Sequence, residues 1–403
     1  PLKNDWESKI KELGIKNCSV YVINSIALKN QIYTCDLLIV DELHRYASEK
    51  FIQLFKLVKY SWVLGLTATI ERLDGKEVLL KRFAPICDEI THKECVLKKW
   101  VSDTIDINLS VPLTRKEIED METLDKSIRY YISKFGDFDE MRACINSEKA
   151  KSYASLYYPS CDAKEKAKEI VVWAIQGNRL IKARQEFLYN TKHKIDTAEL
   201  IINELGLKTI TFSQSTEFAD LLHQRFKNTS VVYHSNLESK IILTDKEKSY
   251  TTLNSAEKLK STTKNSKIIR KDGKYIVQWK EQKKVGKKYL TEEAIRLFRD
   301  EKSKVDKIFS AKALDQGSDF PDAELGIEGA RTTNPAQFFQ RKGRISRSFT
   351  YKNGKEKRGV YISLYVPNTQ DEKWLRAAKK GTNSLWFDNT EECLTFIKNS
   401  LNG

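Results

Sequence analysis

Short apolar runs of strand length, bounded by turn residues and separated by stretches of helical periodicity, recur along the chain. The first are Ser19 to Ile23, Leu37 to Val40 and Trp62 to Leu66. A second series follows at Thr209 to Phe212, Val231 to Tyr233, Lys307 to Ser310, Leu325 to Ile327 and Val360 to Val366, with helical patterns such as Thr216 to Phe226 between them. Runs this apolar predict strands of a mostly parallel sheet buried on both faces. Two series of alternating strand and helix predict an α/β protein of two layers. Between them, Leu113 to Leu200 is rich in charge and helix formers and predicts helices bridging the two domains. Lys-Ile-Ile-Arg-Lys and Lys-Tyr-Ile-Val-Gln-Trp flank Asp272-Gly273, so Ser266 to Trp279 predicts a β-hairpin closed by a type I′ turn. On this pattern domain 1 covers residues 1–108, a helical linker 109–192, and domain 2 193–403 with an insertion over 240–290. No internal repeat is visible.

Composition narrows the class. Of 403 residues, 40% are hydrophobic, yet no run approaches the roughly 20 apolar residues a membrane helix needs. The expectation is a soluble globular protein without a membrane partner, and Pro1 to Ile10 lacks a signal-peptide layout. Seven cysteines, none at a two-residue spacing, point to free thiols in a reducing compartment. That fits the cytoplasm, a host's cytoplasm if the source is viral, or a nucleus. The formal net charge of +15 favours a polyanionic partner. Lys240 to Leu290 holds 15 Lys and Arg against 5 Asp and Glu, so most of the excess lies in the insertion.

The sharpest chemistry is Leu37-Leu38-Ile39-Val40-Asp41-Glu42-Leu43-His44, an apolar strand ending in two acids. Open α/β sheets bind ligands at the C-terminal ends of their strands. There Asp41 would hold Mg²⁺ and Glu42 would orient or deprotonate an attacking water; the bland alternative is a strand followed by an acidic turn. Leu64 to Thr69 repeats the layout with small hydroxylated residues that can reach the acids across a neighbouring strand end, or simply cap a helix. Near the other end, Gln340 to Arg347 sets Arg344 and Arg347 three apart, one turn after Gln340. Two guanidinium groups on one face suit a γ-phosphate; a solvated basic helix is the alternative.

Taken together these segments resemble the motifs of superfamily two helicases. Asp41-Glu42-Leu43-His44 is similar to the DEAH-type Walker B box, and Gly65 to Gly75 to motif III with the extension of the XPB, UvsW and type III restriction branch. Thr211 to Ser215 resembles motif IV, Ala313 to Pro321 motif V, and Gln340 to Arg347 motif VI. The resemblance implies two RecA-like domains with ATP and Mg²⁺ between them and nucleic acid across both, DNA rather than RNA. It implies Mg²⁺ at Asp41, water activation by Glu42, arginine fingers at Arg344 and Arg347, and a γ-phosphate sensor at Gln340. Gly317 and Asp319 would approach the ribose and phosphates. His44, Thr67 and Thr69 would couple nucleotide state to nucleic-acid grip, and Ser213 of motif IV would lie along the nucleic acid. The closest sub-branch is the phage recombination type that remodels branched DNA.

One departure matters. The Gly-x-x-x-x-Gly-Lys-Ser/Thr loop that cradles phosphates occurs nowhere in the 403 residues, and Gly286-Lys287-Lys288 lacks its hydroxyl and its preceding glycine. The expectation is a chain missing its N-terminal portion; a natively split protein needing a partner subunit, or a non-hydrolysing nucleic-acid-binding relative, are the alternatives. The insertion interleaves lysines with Tyr250, Tyr275, Trp279 and Tyr289, a composition suited to phosphate contact and base stacking, and Lys271, Lys274 and Trp279 are its candidate contacts. The alternative there is a solvated loop. A restriction subunit with its own nuclease finds no acidic nuclease cluster after Arg347.

Overall fold

The computed structural model describes residues 2–29, 32–68, 70, 75–263, 266–311, 314, 319–330 and 335–402. It is α/β, with two parallel sheets and a third, antiparallel one. Strands β1 (Tyr33–Asp41) and β2 (Val58–Leu66) pair in parallel, with Leu37 beside Trp62 and Ile39 beside Leu64. The remaining strands are β3 (Thr104–Ser110), β4 (Thr209–Ser213), β5 (Ser230–His234), β6 (Lys240–Tyr250), β7 (Lys267–Lys271), β8 (Lys274–Val285), β9 (Lys307–Ala311), β10 (Leu325–Glu328), β11 (Gly359–Tyr365) and β12 (Leu385–Phe387). Seven of these form a parallel sheet ordered β12-β3-β11-β10-β4-β9-β5, while β6, β8 and β7 form the antiparallel sheet of the insertion.

The large sheet is covered on both faces, as its apolar strands predict. Ile107, Leu109, Ile327 and Ile362 pack on one side under the helices Lys192–Leu205, Thr216–Arg225 and Thr390–Asn402. Ile210, Phe212, Ile308 and Tyr361 pack on the other under Lys287–Arg299 and Pro335–Ile345.

The small sheet departs from that expectation. Val40 meets Leu43, Ala47, Leu54, Leu80 and Ala84 on one face, but Leu37, Ile39 and Trp62 on the other are 50%, 52% and 73% exposed. Its apolar strands carry side chains for two covering layers, and the described residues supply one.

Two further expectations change. Ser19 to Ile23 is not a strand: Ser19 to Val22 belong to no regular element and lead into the helix Ile23–Lys29, and no described strand pairs with them. The boundary expected at 108 falls inside β3, which pairs with β11 and β12 of the large sheet. Asp103 to Asp106 leads into that strand, and Asp106 is 4% exposed because Lys342 and Lys379 both bond its carboxylate. Asp137 is a helix cap, accepting the N–H of Glu140 at the start of Phe138–Ala143.

Helices Arg115–Ser133, Phe138–Ala143, Ser147–Tyr157 and Ala163–Tyr189 fall between β3 and β4, two strands of the large sheet, so they are an excursion from that sheet instead of the expected bridge between domains, with a core of their own around Phe135, Met141, Tyr153, Ile170 and Ala174. The hairpin forms as predicted: Asp272 and Gly273 take φ 50° and 74°, and Lys271 faces Lys274. It is one half of a three-stranded sheet, with β6 along the far side of β8.

Candidate active site

The site begins where β1 ends. Asp41 is exposed at the strand terminus, and the chain then turns sharply at Glu42, whose φ of 53° and ψ of 48° lie in the left-handed region. A residue with a Cβ enters that region at a cost of about 1 kcal/mol or more, which surrounding contacts must offset. The 3₁₀ turn Leu43–Ala47 follows and buries Leu43 and His44. Gly65 makes room for it: a Cβ there would lie 2.4 Å from Leu43 Cδ2.

Just past the end of β2, Thr67 Oγ1 lies 3.0 Å from His44 Nδ1, within hydrogen-bond reach. The same nitrogen is 3.3 Å from Glu42 Oε2, but that approach lacks hydrogen-bond geometry, and Oε2 is buried with no hydrogen-bond partner among the described residues. The structure therefore brings Glu42, His44 and Thr67 together. Thr69 lies outside the described residues.

The other half comes from the large sheet. Gln340, on the helix Pro335–Ile345, donates from Nε2 to Glu42 Oε1 at 3.0 Å. Burial of Glu42, followed by the neighbouring Asp41 charge, pushes its carboxyl above the ordinary range, while the Gln340 bond and the charges of Arg45 and Arg344 pull it back down. The guanidines of Arg45 and Arg344 thus favour the charged form against the burial that opposes it, and the net direction stays upward.

The helix bearing Gln340 and Arg344 is fixed from beneath. Arg341, 1% exposed, donates to Glu328 Oε1 at 2.8 Å and to Ala330 O at 3.3 Å. Ile345 closes on the sheet where Gly326 and Gly359 leave space, since a Cβ at either would lie within 2.9 Å of it. Arg344 is 9% exposed. Arg347, beyond the helix, pairs with Asp319 at 2.7 Å, so two residues assigned to the nucleotide neutralise each other here. Gly317 lies outside the described residues.

Sequence reasoning missed the Arg341–Glu328 pair. The available signal was an acid closing the apolar run Leu325-Gly326-Ile327-Glu328, a buried strand that could hold a charge only with a partner.

Two nucleic-acid assignments are corrected. Ser213 is fully buried, and its Oγ accepts the N–H of Ser215, so it shapes the turn after β4 and offers no surface. Trp279 does not act with Lys271 and Lys274. Those lysines face each other beside the turn, whereas Trp279 stands an odd number of residues from Lys274 on β8 and therefore on the opposite face.

The carboxylates fit Mg²⁺ bound to a nucleotide. That ion commonly uses one or two carboxylates and takes its other ligands from phosphates and water. Asp41 supplies an exposed carboxylate and Glu42 a buried, unsatisfied oxygen beside it, and among the described residues no cluster of three metal ligands competes. All seven cysteines are free, and among the described residues no helix is long and apolar enough to cross a membrane.

Residues 5–72 match the family model described as "Type III restriction enzyme, res subunit". Over 348 residues the chain is 24% identical to the DNA 3'-5' translocase XPB2 of Sulfurisphaera tokodaii, covering 85% of this chain and 62% of that protein. These matches support a superfamily two helicase of the XPB and type III restriction branch. The chain spans less than two thirds of that relative's length. Among solved structures, Saccharomyces cerevisiae Dbp5 bound to RNA and ADP BeF3 aligns with a TM-score of 0.45 at 12% identity, over 96% of this chain and 71% of that one. The Pyrococcus furiosus Hef helicase domain aligns at 0.40 and 13%, over 89% and 78%.

Proposed function

We propose that this chain forms most of an ATP-dependent DNA translocase or helicase acting on double-stranded or branched DNA, with hydrolysis centred on Glu42. The observation that carries the reading is the bond from Gln340 to Glu42. It joins a carboxylate at the end of the small sheet to a helix packed on the large one, where a nucleotide between two RecA-like layers would lie. The likeness to a DNA translocase favours DNA. The Asp41-Glu42-Leu43-His44 box and the extension to Gly75 support the DEAH-type, phage recombination sub-branch.

Mg²⁺-ATP, when bound, supplies the activated phosphoryl group and the charge that its oxygens carry into the transition state. Asp41 would hold the ion, and Glu42 would take up the proton of the attacking water. Gln340 orients the Glu42 carboxylate, and Arg344 adds positive charge from the opposite layer. Arg347 reaches the phosphates only by leaving Asp319, which makes that ion pair a step in closing the site. His44 and Thr67 tie the ends of β1 and β2 together, so a shift at Glu42 is passed to the loop after β2.

No Gly-x-x-x-x-Gly-Lys-Ser/Thr phosphate-binding loop occurs in these 403 residues, and the bare apolar face of Leu37, Ile39 and Trp62 leaves room for a further layer. A binding subunit that depends on a partner for that loop is the second reading, favoured by the same absence of the motif from this sequence. Displacement of a third strand from a DNA triplex by the protein at its native length decides between them. Wild type displaces the strand only with ATP, and Glu42→Gln does not; displacement without ATP, or unimpaired displacement by Glu42→Gln, refutes the proposed role.

A further inference from the structure

The sheet of the insertion has one covered face and one open face. The helix Leu253–Thr262 packs on the first, where Val277 and Ala256 are fully buried. Alternation along β8 and its pairing with β6 place Tyr250, Tyr275 and Trp279 on that covered side, with Lys246 opposite Trp279. The other face carries Lys267, Lys271, Lys274, Lys280 and Lys284, all exposed. Asp245, opposite Lys280, and Glu247, bonded to Gln278, are its acids.

Two features of this face decide what it suits. The ten residue steps from Lys274 to Lys284 extend roughly 34 Å at strand rise, about the length of one duplex turn. None of the five lysines has an aromatic beside it on that face, so it offers phosphate contact without the stacking platforms on which single strands depend.

We propose that the open lysine face is a second nucleic-acid surface, separate from the ATP site, which holds the backbone of double-stranded DNA alongside the motor without reading its sequence. Its choice of DNA rests on the function proposed above; its choice of duplex over single strand rests on the sheet alone. The contact is electrostatic, so binding weakens as salt displaces it, by a slope of about 0.9 per phosphate engaged.

The test compares the protein at native length with its Lys274→Gln/Lys280→Gln/Lys284→Gln variant and, separately, Trp279→Phe. Affinity for a mixed-sequence DNA duplex and for a single strand of equal length is measured by fluorescence anisotropy from low to moderate salt. Circular dichroism melts confirm that each variant folds, and a single Lys280→Gln substitution replaces the triple variant if it does not. The triple variant is expected to bind duplex about tenfold more weakly at low salt and to lose roughly 2.7 from the salt slope. The single variant loses roughly 0.9. Single-strand affinity changes less, and Trp279→Phe binds duplex as wild type does. Unchanged duplex affinity and slope in the lysine variants overturn this inference and leave the motor intact. Equal losses for both nucleic acids overturn the preference for duplex. A wild-type protein that binds neither removes the proposed function and this surface together.

Discussion

Replacing Arg341 with methionine tests how the motif helix is held in place. Arg341 is 1% exposed and Glu328 2%, and the two are joined at 2.8 Å. Glu328 also receives Ser363 Oγ at 3.3 Å, so its carboxylate sits in a sealed polar pocket between β10 and β11. Methionine fills a similar volume but removes the guanidinium from beside that buried carboxylate. Breaking a buried pair from one side costs about 3–5 kcal/mol. For a unit of 150–250 residues that is a fall of roughly 10 °C in Tm. Changing Glu328 to Gln as well removes the stranded charge, and most of the loss should return. Thermal melts of the two single variants and the double variant give the coupling energy directly. A single variant within about 1 kcal/mol of wild type, or a double variant no better than Arg341→Met, would refute the claim that this pair anchors the helix carrying Gln340 and Arg344.

Other outcomes follow from the same geometry. Gly65→Ala places a methyl group 2.4 Å from Leu43 Cδ2 and should destabilise by about 1–3 kcal/mol in denaturant melts; adding Leu43→Ala should relieve the clash, and an unaltered penalty would show that the contact is not its source. Gln340→Ala removes a bond that favours the charged form of Glu42, so its carboxyl rises further and the acid limb of the ATPase pH profile should move to higher pH; an unmoved limb contradicts that coupling. Lys357 donates to Pro321 O at 2.6 Å and Ala323 O at 3.0 Å, and burial pushes its amine down to about 8. Between that value and the ordinary lysine range the unfolded chain binds more protons than the folded one, so stability rises with pH across this window. Against Lys357→Met, wild type should gain up to about 3 kcal/mol from pH 7.5 to 10.5; parallel stability curves would contradict it.

Much of this was legible from residue order. Apolar runs between turns marked β1, β2, β4, β5, β9, β10 and β11, and Asp272-Gly273 marked the hairpin, because these signals are local. What failed was not local. Thr104 to Ser110 alternates Ile and Leu with Asp106 and Asn108, and is not singled out as a strand; what buries Asp106 is Lys342 and Lys379, more than 230 residues away. Strand β6 carries too many charges to stand out, since its Lys, Asp and Glu are spread over both faces. Separating Trp279 from Lys274 needed only the parity of their spacing, so that error was avoidable. The exposed face of β1 and β2 could not be foreseen, because an apolar strand looks the same whether one neighbouring layer is present or two. The candidate site was the most legible part: Glu42, His44, Thr67 and Gln340 meet across up to 298 residues of sequence.

The most direct measurement of the central claim is duplex-stimulated phosphate release by the protein at its native length, made alongside binding of a fluorescent ATP analogue. Wild type should release phosphate faster when duplex DNA is added, and Glu42→Gln should bind the analogue as tightly while releasing none. Turnover by Glu42→Gln at the wild-type rate would contradict the assignment of hydrolysis to the carboxylate that Gln340 holds.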